Sequence, residues 1–206
     1  MAFIGLSQLN FMPDNDTATA LMQAWLRDFI IALNLCPFAK KEVERQRVAY
    51  RPFNASADES IEVCALQAIA AACEELDNQP DIATSLVFNP AQQMDFLHYL
   101  DVLNTAERLL QQLNYEGIYQ LASFHPDYCF ADSDADDPAN YSNRAPYPCF
   151  HLLREQQLSR VLEQYPEPER IPETNIARLR ELGKESICAK LDSSYASAVA
   201  AQIDSD

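Results

Sequence analysis

Between residues 48 and 124 short β-branched and aromatic runs alternate with long amphipathic stretches, and that alternation constrains the fold more than any other feature. Val48 to Phe53, Ile82 to Phe88 and Ile118 to Phe124 read as strands. The first two are separated by a helix capped at Ser56 or Asp58, carrying Ile61, Cys64, Ala65, Ala68, Ile69, Ala72 and Leu76 on one side. The second separation is a helix from about Met94 to Leu113, with Phe96, Leu97, Leu100, Leu103, Leu110 and Leu113 as its stripe. Crossovers of this length join parallel neighbours in a right-handed sense.

The segments around this unit follow the same logic. Asp14 to Asp16 can cap a first helix whose face is Leu21, Met22, Trp25, Leu26, Phe29, Ile30 and Leu33. Pro37 favours the first position of a second helix through about Arg45, with Cys36 as its N-cap. After an irregular stretch from His125 to Pro148, Cys149 to Leu153 reads as a fourth, antiparallel strand, followed by helices near Glu155 to Gln164 and Glu173 to Leu182. The fold class expected is α/β: a four-stranded, mostly parallel sheet with one antiparallel strand, flanked by helices. A permuted ferredoxin-like α+β arrangement is the alternative. One domain over residues 1–183 is expected, with 184–206 as a C-terminal helix or flexible tail.

Composition excludes several functions. Against 15 Lys and Arg stand 31 Asp and Glu, a formal charge of −16 that repels nucleic acid and anionic lipid. The N-terminus lacks the cationic and apolar regions of a signal peptide, and no stretch approaches the roughly 18 apolar residues of a membrane span. A cytoplasmic setting is expected, and the six cysteines, none in a C-x-x-C pair, read as reduced thiols. With three glycines in the chain, dinucleotide and P-loop phosphate cradles are excluded. No cofactor is indicated. Asp132, Asp134 and Asp136 alternate like the opening of a calcium loop, but Asp137 stands at the glycine position and Asn143 at that of the bidentate Glu. Cys36, His125 and His151 lack the local spacing of a structural zinc site, so no metal is expected.

Ligands of open α/β sheets bind beyond the carboxyl ends of the parallel strands. His125 follows the third strand directly, and Asn143, Arg144 and Tyr147 precede the fourth at the same edge. Cys36 belongs there too if its helix runs antiparallel to the first strand. Alternation places His151 on one face with Cys149 and Leu153. Cys36 at a helix N-terminus with Lys40 and Lys41 nearby is a place where a thiolate is favoured. Arg144, with Asn143, could grip a carboxylate or phosphate or pair with the loop aspartates, and Arg154 could do either. His98 reads as structural.

The motifs Asn34-Leu35-Cys36-Pro37-Phe38-Ala39, Phe124-His125-Pro126, Asn143-Arg144-Ala145-Pro146-Tyr147-Pro148 and His151-Leu152-Leu153-Arg154 together resemble a proteobacterial family of domains of unknown function. That resemblance spans about Ala24 to Leu182; it implies a cytosolic bacterial protein and no particular activity. Cys36-Pro37-Phe38-Ala39 is also similar to the active-site tetrapeptide of omega-class glutathione transferases, though a helix here precedes the cysteine where that fold needs a strand.

Two functions are therefore open. In one, the chain is an enzyme for a small anionic metabolite, with Cys36 as nucleophile or redox thiol, His125 or His151 as base, and Asn143, Arg144, Tyr147 and Arg154 holding the substrate. In the other, the same residues form a non-catalytic pocket or partner surface. The sequence leaves the oligomeric state open.

Overall fold

A computed structural model describes residues 13–203. Asp14 caps helix α1 (Asn15–Trp25) by accepting from the Thr17 amide at 2.7 Å, and the helix continues as a π-helical turn, Leu26–Ile31. Asn34, in the left-handed region at φ 49°, then turns the chain away. A short helix α2 (Ala39–Glu44) leads into β1 (Val48–Pro52). Next come α3 (Ile61–Asn78), β2 (Thr84–Phe88), α4 (Phe96–Gln112) and β3 (Tyr119–Phe124). A loop containing a 3₁₀ turn (Pro138–Ser142) leads to β4 (Cys149–Arg154), then α5 (Glu155–Gln164), α6 (Ile171–Leu182) and α7 (Lys184–Ile203). Gly183, at φ 78°, makes the sharp turn between α6 and α7.

The sheet order is β1-β2-β4-β3. Only the β1–β2 ladder is parallel; β2–β4 and β4–β3 are antiparallel. The expectation of a mostly parallel sheet is corrected here. β1, β2 and β3 do point the same way, as their helical crossovers require, but β4 returns between β2 and β3 and separates them. One inserted strand thereby makes two of the three ladders antiparallel. The β2–α4–β3–β4 portion has the split β-α-β order of a ferredoxin-like half, while β1, paired in parallel at the edge, departs from it.

Alternation along the strands divides the core between the two faces. On one, Ile69, Leu76, Val87, Tyr99, Val102, Phe150 and Leu152 pack beneath α3 and α4. On the other, Leu21, Met22, Trp25, Phe29, Leu86, Phe88, Tyr147 and Cys149 pack with Leu179, Ile187 and Leu191, which come from α6 and α7. The segment 184–203 is thus a helix docked on the body, resting on α1.

Two helix starts differ from expectation for a local reason. α3 begins after Ser60, which accepts from the Val63 amide, while Ser56 is instead hydrogen-bonded to Glu59. α2 begins after Phe38, so Cys36 is not its N-cap but lies two residues earlier, in the turn.

A candidate ligand cavity on one face of the sheet

A cavity of about 530 Å³ lies on the second face of the sheet. Its floor is Val48, Thr84, Leu86, Ala122, Phe124, His151 and Leu153, contributed by all four strands. Trp25, Leu26 and Ile30 line it, with Cys36 and Phe38 from the turn that follows and Ala39 and Glu42 from α2. Leu158 and Val161 of α5 and Ile171 and Ile176 of α6 also line it. Side chains that would fill the space in a packed protein are short here: Ala39, Ala83 and Ala122. Phe130, which is 38 % exposed, also lines the cavity.

α5, like the shorter α2, has no buried residue, although its apolar residues are spaced to make one face. An amphipathic helix normally gains stability by burying its stripe in the core. Here the stripe borders space that no described residue fills.

His151 carries the most informative polar group in the cavity. Its Nε2 lies 2.6 Å from Thr84 Oγ1, and that hydroxyl lies 2.5 Å from the Leu152 carbonyl oxygen. Two oxygens so close need a proton between them, and threonine has one to give. The hydroxyl therefore donates to Leu152 and accepts from His151 Nε2–H. Neutral His151 thus bears its proton on Nε2 and a lone pair on Nδ1. Nδ1 makes no hydrogen bond to any described residue, and His151 lines the cavity. Burial in this apolar setting pushes the His151 pKa down to about 4, so the ring is neutral at pH 7.

His125 is the opposite case. Nε2 donates to the Met94 carbonyl at 3.2 Å, and Nδ1 accepts from the Asp127 amide at 3.0 Å. The ring is 2 % exposed and lies against Phe96 and Tyr99, on the side of α4. Burial lowers its pKa as well. Both nitrogens are committed to holding the loop after β3.

The other residues singled out by sequence divide in the same way. Cys36 and Asn143 line the cavity with His151. Burial raises the Cys36 thiol pKa, opposed in part by the Phe38 and Ala39 amides, so no thiolate is favoured there. Asn143 spends its amide on the Ser123 carbonyl and accepts from Ser142 Oγ. Arg154 reaches the cavity's edge, but its guanidinium turns to the carbonyls of Ile82, Leu76 and Gln79 and to Tyr119 Oη.

Arg144 and Tyr147 lie elsewhere. Arg144 donates to the carbonyls of Tyr128 and Ala135 at 3.0 and 2.8 Å and stacks 4.7 Å above the Tyr141 ring, while its own carbonyl accepts from Trp25 Nε1. It closes the acidic loop through backbone carbonyls rather than through the aspartates. Asp136 and Asp137 pair instead with Lys184 and Arg180. Tyr147 is buried, stacked on Phe88, with a hydroxyl that has no hydrogen-bond partner among the described residues. His98 pairs with Glu62 on the surface of α4.

Sequence reasoning missed Thr84, Ala122, Leu158 and Val161. The α5 spacing Leu158, Val161 and Leu162 was a readable sign of an apolar face, but what it faces depends on tertiary structure. Thr84 becomes visible only through the β2–β4 register, which sets it opposite Leu153 and within reach of the His151 ring.

Fold and cavity together define a mixed α/β protein with an open four-stranded sheet and an apolar hollow between that sheet and its helices. The chain belongs to the family described as protein of unknown function (DUF1415), whose model matches residues 17–189. No curated protein and no solved structure matches it.

Proposed function

We propose that this protein binds a small, largely apolar molecule in the cavity over β1, β2, β4 and β3. The observation that carries this reading is α5, whose apolar face borders about 530 Å³ that no described residue fills. That volume lies within the ordinary range of small-molecule pockets, roughly 300–1,000 Å³. An apolar hollow forfeits the contacts its lining atoms would otherwise make, and a ligand would restore them.

N-phenyl-1-naphthylamine, a neutral apolar fluorophore, tests the proposal. Wild-type protein should enhance its emission and saturate at one equivalent, and Ala122→Leu, which puts an isobutyl group beside His151, should abolish the effect. Enhancement that survives Ala122→Leu unchanged would place the probe elsewhere and reject the reading.

A thiol enzyme is the second reading, favoured by one observation: Cys36 and His151 line the same cavity. The raised thiol pKa weighs against it. Iodoacetamide should therefore alkylate Cys36 no faster at pH 7 than an ordinary thiol; faster reaction would favour the enzyme.

A further inference from the structure

We infer that the ligand of this cavity is uncharged and presents a hydrogen-bond donor, such as a phenolic or alcoholic hydroxyl, to His151 Nδ1. The inference rests on the cavity reading above and adds the chemistry of the occupant. The Thr84 hydroxyl fixes the His151 tautomer by accepting at Nε2 while giving its own proton to Leu152. Nδ1 is consequently an acceptor with no partner among the described residues, and it is not among the buried atoms that lack one. A purely apolar occupant would strip this nitrogen of water without replacing the hydrogen bond, whereas a ligand hydroxyl replaces it.

The charges around the cavity exclude an anion. The guanidinium of Arg154 is committed to three carbonyls and the Tyr119 hydroxyl. Glu42, on the α2 wall, has Oε2 buried without a hydrogen bond and only an ion pair at 3.2 Å with Arg47. Glu42 is offset by Arg47, but a carboxylate ligand would find no uncommitted cation among the described lining residues. It would also leave the Nδ1 lone pair facing oxygen lone pairs. A cationic ligand would compete with Arg47 for Glu42 and would have to be desolvated against a mostly apolar lining.

Calorimetric titration with propylbenzene, 4-propylphenol and 4-propylbenzoate separates these possibilities, since the three share an apolar body and differ in one group. Wild type should bind 4-propylphenol about tenfold more tightly than propylbenzene, the worth of one buried hydrogen bond. It should bind 4-propylbenzoate most weakly. In His151→Phe the two neutral compounds should bind alike. In Thr84→Val, where nothing fixes the tautomer, the preference for the phenol should shrink although the ring is intact. Thermal melts of both variants confirm that they are folded.

Propylbenzene and 4-propylphenol binding equally to wild type would overturn the inference and leave the cavity reading standing. So would tightest binding of 4-propylbenzoate, or a phenol preference that survives His151→Phe. Binding of none of the three would overturn both.

Discussion

The two faces of the sheet are built from the same strands by the same alternation, yet one is filled and the other is partly hollow. Under α3 and α4 the alternate residues Val87, Phe150 and Leu152 meet Ile69, Leu76, Tyr99 and Val102, all buried. The Tyr99 hydroxyl is itself used: it donates to the Cys149 carbonyl at 2.8 Å and accepts from the Phe124 amide. On the opposite face α1 and α7 close over one half of the sheet, whereas the half beneath α5 is covered by a helix with no buried residue. The two histidines report the same difference. Both carry the proton on Nε2, but His125 has a protein partner at each nitrogen and His151 has one at Nε2 only.

The largest effect that would test this contrast is a truncation on each face. Phe150→Ala should cost about 3–5 kcal/mol in urea unfolding, because its surroundings are rigid and complete. Leu158→Ala should cost under about 1 kcal/mol, since that side chain borders a space already empty. Equal costs would mean that the α5 face is packed after all.

Acid comes next. His151 is held neutral with a pKa of about 4, below its ordinary 6.5, so the unfolded chain binds more protons in between. Stability should therefore be independent of this group above pH 6.5, fall as pH drops towards 4, and reach its full loss below that. The loss from His151 is at most about 3 kcal/mol. His125, shifted in the same direction by burial, adds to the slope. Asp137, which Arg180 holds below the usual carboxylate range, supports the fold above pH 3.8 and withdraws that support only at lower pH. Denaturant midpoints of wild type and His151→Phe between pH 7 and 4 should diverge, with the variant the flatter. Parallel curves would show that His151 is already solvated.

The smallest expected effect concerns Tyr147. Its hydroxyl is buried and unpartnered, so Tyr147→Phe should leave the melting temperature unchanged or slightly higher. A loss of more than about 1 kcal/mol would reveal a partner for that oxygen.

Strand and helix positions were legible in the sequence because periodicity reports local burial. The expected α5 interval, Glu155 to Gln164, agrees with the observed helix, and β3 and β4 are displaced by no more than a residue. Sheet order was not legible, since nothing local in Cys149–Arg154 states whether the strand lies at an edge or between β2 and β3. At the site, the expectation that Cys36, His125, Asn143, Arg144 and His151 converge treated the carboxyl edge of the sheet as the only place where polar residues meet. In the structure, Cys36, Asn143 and His151 share a cavity on the face, while His125 and Arg144 hold the loop beyond the edge. A motif such as Asn143-Arg144 looks the same whether its fork grips a ligand or two backbone carbonyls. Sequence cannot show which carbonyls lie within reach. The emptiness beneath α5 was likewise hidden, because an apolar stripe reads identically over core and over a cavity.

The central claim is that His151 presents a bare Nδ1 to an occupiable cavity, and long-range ¹H–¹⁵N correlation of the histidine rings tests it most directly. At pH 7 the His151 Nδ1 resonance should be that of an unprotonated nitrogen and Nε2 that of a protonated one. On titration with 4-propylphenol the Nδ1 signal should shift as it accepts a hydrogen bond, while both His125 nitrogens stay fixed. A protonated Nδ1 in the free protein, or a His151 ring unmoved by saturating phenol, would contradict the account.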